Sequence, residues 1–273
     1  GGAGKTFLYN TLLATVRAED GIAIAVASSG IAALLLEGGR TAHSRLKIPV
    51  NGISELSTCN MTKQSNEAEF IQVADIIIWD EAPMQHKFTF EAVDRTLRDL
   101  TRVDKPFGGK VVVMGGDFRQ VLPVIPRASR TQIVEACLNR SYIWNHVQVL
   151  TLHQNMRVQQ MMQDGNVTCA QSQQEFSNWL KRIGEGTEDI YSQYGENAIH
   201  IPPDMCIGCM PQDTIDTLIE RIYGRINDIP NSEDCTTYIT ERAILTPLNE
   251  DVDASNKEIT TKIVQRIDGS SIT

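Results

Sequence analysis

A lysine and a threonine follow a glycine-rich turn at the start of the chain, and the chemistry of this pattern is phosphate binding. Gly1-Gly2-Ala3-Gly4-Lys5-Thr6 matches the end of the pattern G-x-x-x-x-G-K-[ST]. In such loops backbone N–H groups surround nucleotide phosphates, the lysine reaches the β and γ oxygens, and the hydroxyl holds Mg²⁺. The first glycine of the pattern would precede Gly1. We therefore expect this chain to be a piece of a longer protein and to lack the strand that comes before the loop.

Two carboxylates form the second cluster that could do chemistry. Asp80 and Glu81 follow the apolar run Ile76-Ile77-Ile78-Trp79, which is typical of a buried strand. Ligands of parallel sheets bind at the carboxyl ends of the strands. There Asp80 can hold Mg²⁺ opposite Thr6, and Glu81 can orient and deprotonate an attacking water. The alternative is an acidic surface pair that caps the next helix.

A third polar cluster ends another apolar run. Val111-Val112-Val113-Met114 is followed by Gly115-Gly116-Asp117-Phe118-Arg119-Gln120. The glycines permit a close approach of the backbone, and the Gln120 amide can contact a γ-phosphate or a water. The alternative is a glycine-rich turn with a solvated tail. Three clusters of this kind together predict hydrolysis of a nucleoside triphosphate.

The elements that must position these clusters alternate between strand and helix. Apolar runs predict strands at residues 22–27, 73–79, 110–114 and 147–152, with helices at 5–17, 29–36 and 90–102. This alternation indicates an α/β fold with a parallel sheet. Residues 159–174 lack an apolar period and read as a loop or linker. Beyond them we predict helices near 176–183, at 211–223 and after residue 249, with one strand at 242–245.

Composition places the chain among ordinary globular proteins. It has 273 residues, of which 41% are hydrophobic and 22% charged, and no apolar run is long enough to cross a bilayer. The net charge of −9 lowers the expectation of nucleic-acid binding only modestly, because a basic cleft can lie on an acidic body. Cys206 and Cys209 have only His200 close by, too few ligands for zinc.

The order of the motifs carries a resemblance to one family. The chain resembles the petite-integration-frequency (Pif-type) DNA helicases of superfamily one, in the plant and transposon-associated branch. Besides the three clusters, the motifs that carry the resemblance are Ala27-Ser28-Ser29-Gly30-Ile31-Ala32-Ala33, Gly39-Arg40-Thr41-Ala42-His43-Ser44, Asn155-Met156-Arg157 and Arg242-Ala243-Ile244-Leu245-Thr246-Pro247-Leu248-Asn249.

The resemblance implies roles for particular residues. It implies ATP and Mg²⁺ as ligands, with Gly2, Gly4, Lys5, Thr6 and Asp80 binding the nucleotide and Thr6 and Asp80 binding the metal. It makes Glu81 the residue that activates water and Gln120 the residue that senses the γ-phosphate. Arg157 would reach the same phosphate from a second motor domain.

The resemblance also implies a partner, which is single-stranded DNA and DNA junctions, with no membrane. Ser28, Ser29, His43 and Ser44 would lie along the DNA. From the residues alone, Ser28-Ser29 equally fits a helix N-cap and His43 a structural histidine. Trp79, Trp144 and Trp179 lie among apolar neighbours, which favours core packing over base stacking.

The expected architecture is a RecA-like P-loop NTPase domain at residues 1–152, a linker at 153–174, and an incomplete second RecA-like domain at 175–273. The expected activity is ATP-dependent 5′–3′ DNA unwinding, in repair, recombination and telomere maintenance. The expected compartment is the nucleus, with the mitochondrion as the alternative. The rival hypotheses are an ATPase without unwinding activity and an inactive fragment that binds nucleotide or DNA.

Overall fold

The computed structural model describes residues 2–165, 167–195, 198–206, 215–229, 232–246 and 249–269. The chain divides into two compact units, Gly1–Glu188 and Asp189–Thr273. This division falls later in the chain than the predicted linker at 153–174, and the assignment of two motor domains stays a prediction. Among the described residues, the helices are all too short or too polar to cross a membrane.

A parallel sheet forms the centre of the first unit. Its strands are β1 (Ala23–Ala27), β2 (Arg40–Thr41), β3 (Ile76–Asp80) and β4 (Val111–Met114). Their spatial order is β2-β1-β3-β4, and every neighbouring pair is parallel. The predicted α/β class with a parallel sheet is therefore confirmed. Because the strands are parallel, the polar residues that follow them meet at one edge of the sheet.

Each of the two units has its own helices. In the first unit they are α1 (Lys5–Ala18), α2 (Gly30–Leu34), α3 (Ala42–Leu46), α4 (Asn66–Val73), α5 (Lys87–Thr101), α6 (Arg130–Ala136), α7 (Met156–Gln163) and α8 (Val167–Glu185). In the second unit they are α9 (Ile215–Tyr223), α10 (Ser232–Thr240) and α11 (Asn249–Gly269).

Alternate residues of the central strands enter two separate apolar clusters. Ile77 and Trp79 of β3 belong to a cluster that includes Phe90 and Leu97 of α5. Ile76 and Ile78 belong to another, which includes residues of α1. Both clusters are buried, so β3 has no solvated face and its sequence is a continuous apolar run.

Two predicted elements differ in the structure. The strand predicted at 147–152 does not form: this segment pairs with no strand of the described chain, and Leu150 is 83% exposed. The loop predicted at 159–174 contains most of α7 and the start of α8. Glutamine and methionine favour helix, and Asn155 caps α7 with its side chain. An apolar period is weak here because few side chains are buried.

The described part of the second unit is mostly helical. Ile219 and Tyr223 of α9 are buried, and Ile190 and Ile199 form an isolated antiparallel bridge. The predicted helices at 211–223 and after 249 are confirmed where they are described, whereas residues 211–214 and Cys209 lie outside the described residues. The strand predicted at 242–245 does not form, since Leu245 is 93% exposed and pairs with no described strand.

Candidate active site

The glycine-rich turn before α1 has the backbone of an anion-binding loop. Gly2 and Gly4 have φ angles of 83° and 84°, a left-handed conformation that glycine adopts without strain. Gly4 is the N-cap residue of α1, and the first turn of this helix, all of which the structure describes, contains no acidic residue. The positive end of the helix dipole therefore lies where a phosphate would bind. Lys5 and Thr6 are half-buried at this end.

The two carboxylates lie at the carboxyl end of β3. Asp80 is its last residue, is buried, and pairs in register with Ala27 of β1. Its Oδ1 accepts a hydrogen bond of 2.8 Å from the backbone N–H of Glu81. Glu81 has a φ of 52°, a left-handed conformation that is strained for a residue with a side chain. The next peptide is held by the bond from Ala82 N–H to the Gly115 carbonyl at 2.8 Å, which helps fix this turn.

Electrostatics connect the phosphate loop to this carboxylate pair. Burial raises the pKa of Asp80, although the Glu81 N–H and the charge of Lys5 partly offset it. Burial and the neighbouring Asp80 charge raise the pKa of Glu81, Lys5 opposes this, and Asp117 adds to it. Ionisation of both groups is thus disfavoured unless more positive charge is present.

The donor set fits a magnesium ion. The Asp80 carboxylate and the Thr6 hydroxyl are hard oxygen ligands of the kind Mg²⁺ takes, usually together with water and substrate phosphates. The pKa values of Asp80 and Glu81 are raised, and a bound divalent cation would favour the ionised form of both carboxylates. Residues of both elements therefore suit a metal-bound triphosphate.

The third cluster is pressed against the first two, and its glycines are required by that contact. The Gly115 N–H donates to the Trp79 carbonyl at 2.8 Å. A Cβ at Gly115 would lie 1.4 Å from the hydroxyl oxygen of Tyr9, and one at Gly116 would lie 2.2 Å from Cδ of Pro83. The predicted close approach of the backbone is confirmed, because neither position has room for a side chain.

Tyr9 and Asp117 belong to this region although sequence analysis did not select them. Tyr9 is buried, and its pKa is raised by burial and by the charges of Asp80 and Glu81, so it stays a neutral phenol. Burial alone would raise the pKa of Asp117, but hydrogen bonds from Arg119, one of them 2.9 Å from Nε, lower it instead. The available signal for Tyr9 was its position four residues after Lys5, on the same face of α1.

Gln120 stands apart from this cluster. Its backbone N–H donates to the Asp117 carbonyl at 3.1 Å, which closes the turn. The Gln120 side chain is exposed and forms no hydrogen bond with the described residues. The structure therefore places Gln120 at the outer end of the turn, and its role as a phosphate sensor stays a prediction.

Arg157 lies beside the phosphate loop. The Met156 N–H donates to the Gly2 carbonyl at 2.9 Å, and Asn155 caps α7 by accepting from the backbone N–H groups of Arg157 and Val158. A Cβ on Gly2 would lie 3.2 Å from Cδ of Arg157. The exposed Arg157 thus belongs to the first compact unit, whereas sequence analysis expects it to come from a second motor domain.

The four residues predicted to contact DNA follow β1 and β2. The Ser28 N–H donates to the Asp80 carbonyl at 3.0 Å, and its hydroxyl accepts from Nε1 of the buried Trp79 at 3.2 Å. Ser29 is the N-cap of α2, as one of the two interpretations expects. His43 is half-buried, and burial lowers its pKa, so it is neutral near pH 7. Ser44 is exposed on α3.

The three tryptophans predicted to pack in the core differ in how deeply they are buried. Trp79 is fully buried and its ring lies 4.5 Å from that of Phe90. Trp144 packs against the same apolar cluster and contacts Phe118 edge-on. Trp179 is half-buried beside Phe176, which is itself partly exposed. Core packing is therefore confirmed for Trp79 and describes the other two less completely.

Comparison with known proteins agrees with this arrangement. The family model of the PIF1-like helicases matches residues 1–193. The ATP-dependent DNA helicase Pif1 of Psychrobacter sp. is 31% identical over 143 residues, which cover 52% of this chain and 22% of that protein. The ATP-dependent DNA helicase PIF1 of Danio rerio is 26% identical over 231 residues, 84% of this chain and 32% of that protein.

A solved structure shares the fold. The Pif1 helicase from Candida albicans superposes with a TM-score of 0.58 at 19% identity, over 85% of this chain and 50% of that one. The chain spans about a quarter to a third of the length of the two helicases compared by sequence. The family match covers more than half of the chain and contains all three polar clusters. The chain therefore belongs to the PIF1-like helicase family.

Proposed function

We propose that this protein hydrolyses ATP at the carboxyl edge of the parallel sheet and uses the energy to unwind DNA. The observation that carries the proposal is the convergence of Lys5, Asp80 and Glu81, because the charge of Lys5 acts on both carboxylates. The names of the relatives, ATP-dependent DNA helicases, support the same activity.

In the proposed reaction the phosphate loop binds the triphosphate. The N–H groups of the loop and the dipole of α1 attract the phosphate oxygens, and Lys5 neutralises part of their charge. Asp80 and Thr6 would hold Mg²⁺, which when bound neutralises charge on the β- and γ-phosphates. Glu81, the carboxylate with strained backbone, accepts the proton of the attacking water.

Arg157 completes the proposed site. Its side chain packs beside Gly2, and the guanidinium is proposed to contact the terminal phosphate of a bound nucleotide. There it would stabilise the charge that develops during phosphoryl transfer. Gln120, at the outer end of the neighbouring turn, would complete the contact with the γ-phosphate once nucleotide is bound.

Single-stranded DNA is the proposed track. Ser28 and Ser29 follow β1, and Ser44 follows β2, so their hydroxyl groups lie at one edge of the sheet and can donate to phosphates without reading sequence. The bond from Ser28 to the Asp80 carbonyl joins the proposed track to the metal-binding residue. DNA junctions as preferred substrates, 5′–3′ movement, roles in repair, recombination and telomere maintenance, and a nuclear location are predictions from the family.

The decisive experiment measures ATP hydrolysis and strand separation by the purified protein. We expect hydrolysis that single-stranded DNA stimulates, and unwinding of a duplex with a 5′ tail but not of one with a 3′ tail. Lys5→Ala serves as the control that removes both. Hydrolysis that ignores DNA would support an ATPase without unwinding activity, and binding without hydrolysis would support an inactive fragment.

A further inference from the structure

A cavity of about 310 Å³ lies beside the first half of β1, away from the candidate active site. It exists because β2 is only two residues long and pairs with Val26 and Ala27 alone. In the described part of the chain, the earlier residues of β1 have no strand partner on this side. The walls of the cavity include Ile24, Ala25, Gly38 and Phe70, and two arginines, Arg17 and Arg45, also line it.

Arg45 has donors without acceptors in this cavity. Its Nε is buried and has no hydrogen-bond partner. Its guanidinium lies 5.3 Å from the centroid of the Phe70 ring, and it makes no ion pair or hydrogen bond with any described residue. Burial and the nearby charge of Arg40 lower its pKa. A partly buried cation in this state is costly unless an acceptor binds to it.

Arg17 differs because its hydrogen bonds are already made. One of its nitrogens donates to the carbonyl oxygens of Ala23 and Glu37, at 3.3 and 3.0 Å. Its other terminal nitrogen lies 3.8 Å from the Glu37 carboxylate. Arg45 is therefore the arginine of this cavity whose terminal nitrogens make no hydrogen bond or ion pair with the described residues.

We propose that this cavity binds a small organic anion through Arg45. A carboxylate or phosphate group would accept the hydrogen bonds of the guanidinium, whose planar donors match both groups. The apolar part of the ligand would lie against Ile24, Ala25 and Phe70. The cavity volume is at the lower end of the range of small-molecule sites, so a small ligand with one substituted benzene ring would fit.

The site is separate from the nucleotide site and does not depend on the proposed function. The cavity lies along Gly21 to Ala25, at the amino end of β1, whereas the phosphate loop and Asp80 lie at the carboxyl end of the sheet. Measurements must distinguish the two places, because a phosphate loop also binds anions. Backbone amide resonances of Gly21 and Gly38 report on the cavity, and that of Gly4 reports on the loop.

The test is a titration of isotope-labelled protein with benzoate, phenyl phosphate, inorganic phosphate and benzyl alcohol. We expect the Gly21 and Gly38 resonances to shift with benzoate or phenyl phosphate at millimolar concentration, and the better of these two identifies the head group. Benzyl alcohol lacks the charge and inorganic phosphate lacks the apolar body, so both should bind more weakly. Equal binding of either control, or no shift at Gly21 and Gly38, overturns the proposal.

Two arginine variants assign the binding to one side chain. Arg45→Met keeps the aliphatic packing and should weaken binding at least about tenfold, the usual effect of losing a charged hydrogen bond. Arg130→Met removes an exposed arginine that does not line the cavity, and should leave the affinity unchanged. Unchanged affinity in folded Arg45→Met contradicts the proposal. Should that variant not fold, Arg45→Lys replaces it, with weaker binding expected because the planar donors are lost.

Discussion

The backbone N–H of Met156 donates a hydrogen bond to the carbonyl oxygen of Gly2 at 2.9 Å, which attaches the start of α7 to the phosphate loop. The contact is close, since a Cβ on Gly2 would lie 2.9 Å from Oδ1 of Asn155. A segment that lies more than 150 residues later in the chain thus forms one wall of the loop. This attachment determines where Arg157 stands before any nucleotide binds.

Arg157→Met should reduce the turnover of ATP strongly while nucleotide binding changes little. The guanidinium is expected to act on charge that develops in the transition state, and such arginines contribute a factor of about 10³ or more. Steady-state hydrolysis and a nucleotide-binding titration separate the two effects. Arg182→Met, on the exposed face of α8, is the matched control. Equal turnover in the Arg157 variant would contradict the role proposed for it.

Glu81→Gln should retain ATP but lose turnover by about 10²-fold or more, since general-base catalysis contributes about that factor. The raised pKa of Glu81 means that the base is protonated, and inactive, up to a higher pH than an ordinary glutamate. The kcat/KM of the unmodified protein, which reports the groups of the free protein, should therefore fall with decreasing pH above the usual glutamate range.

Asp117→Asn tests the cause of that pH dependence. The negative charge of Asp117 raises the pKa of Glu81, so its removal should move the acid limb of the pH–rate profile to lower pH. The profile of kcat/KM for ATP, which reports the groups of the free protein, gives the result. An acid limb that stays in place in Asp117→Asn would exclude Glu81 as the group that titrates.

Asp80→Asn should stabilise the protein in the absence of nucleotide and metal, by about 1 kcal/mol, a usual size for one substitution. The folded-state pKa of Asp80 is raised, so its ionisation favours unfolding. The stability of the unmodified protein should fall as pH rises from the unfolded pKa to the folded pKa, and the advantage of Asn should develop across that window. Urea unfolding at several pH values measures it. An advantage already complete at acidic pH would refute the electrostatic cause.

Gly115→Ala should destabilise the protein by about 1–3 kcal/mol, the usual cost of overpacking. The new Cβ would meet the hydroxyl of Tyr9 at 1.4 Å. In a double-mutant cycle with Tyr9→Leu, the two changes should be strongly non-additive, because the shorter side chain leaves room for the methyl group. Gly30→Ala is the control, since no atom lies within 4 Å of its Cβ position. Simple additivity would mean that Tyr9 is not the obstacle.

Ser28→Ala and Ser44→Ala should separate a structural role from a DNA role. Loss of the Ser28 hydroxyl leaves the buried Nε1 of Trp79 without its acceptor, at a cost of about 1–3 kcal/mol in stability. Ser44 is exposed, so its variant should keep full stability and weaken only the affinity for single-stranded DNA. Fluorescence anisotropy and thermal unfolding distinguish these outcomes. Loss of stability in Ser44→Ala would contradict this division.

The sheet could be predicted because its central strands are buried on both faces. Such strands are continuous apolar runs: β1 lies within a predicted strand, and so does β3 apart from its last residue. The partly exposed β4 was predicted as well, because its sequence is also an apolar run. The run at 147–152 has the same composition but finds no partner in the described chain, and composition alone does not reveal a partner. α7 was missed for the opposite reason, since its side chains are mostly exposed and give no apolar period.

The candidate site was predictable in its charged members and not in its packing. Lys5, Asp80 and Glu81 each belong to a motif, so their convergence follows from parallel topology. The obstruction between Tyr9 and Gly115 and the Met156–Gly2 bond join segments about 100 or more residues apart in sequence. Such contacts depend on the angle at which helices meet the sheet, which local sequence does not encode.

The bond from Ser28 to Asp80 gives the molecule a very short mechanical linkage. Only one hydrogen bond of 3.0 Å separates the main chain of Asp80, which is proposed to bind the metal, from Ser28, whose hydroxyl is proposed to contact a DNA phosphate. Any displacement of the Asp80 peptide during the reaction would pull on Ser28 directly, without a lever arm or a chain of intervening side chains. A helicase coupled in this way would transmit only small displacements. Lengthening β1 or β3 by a single residue would break the Ser28–Asp80 bond and uncouple ATP hydrolysis from DNA.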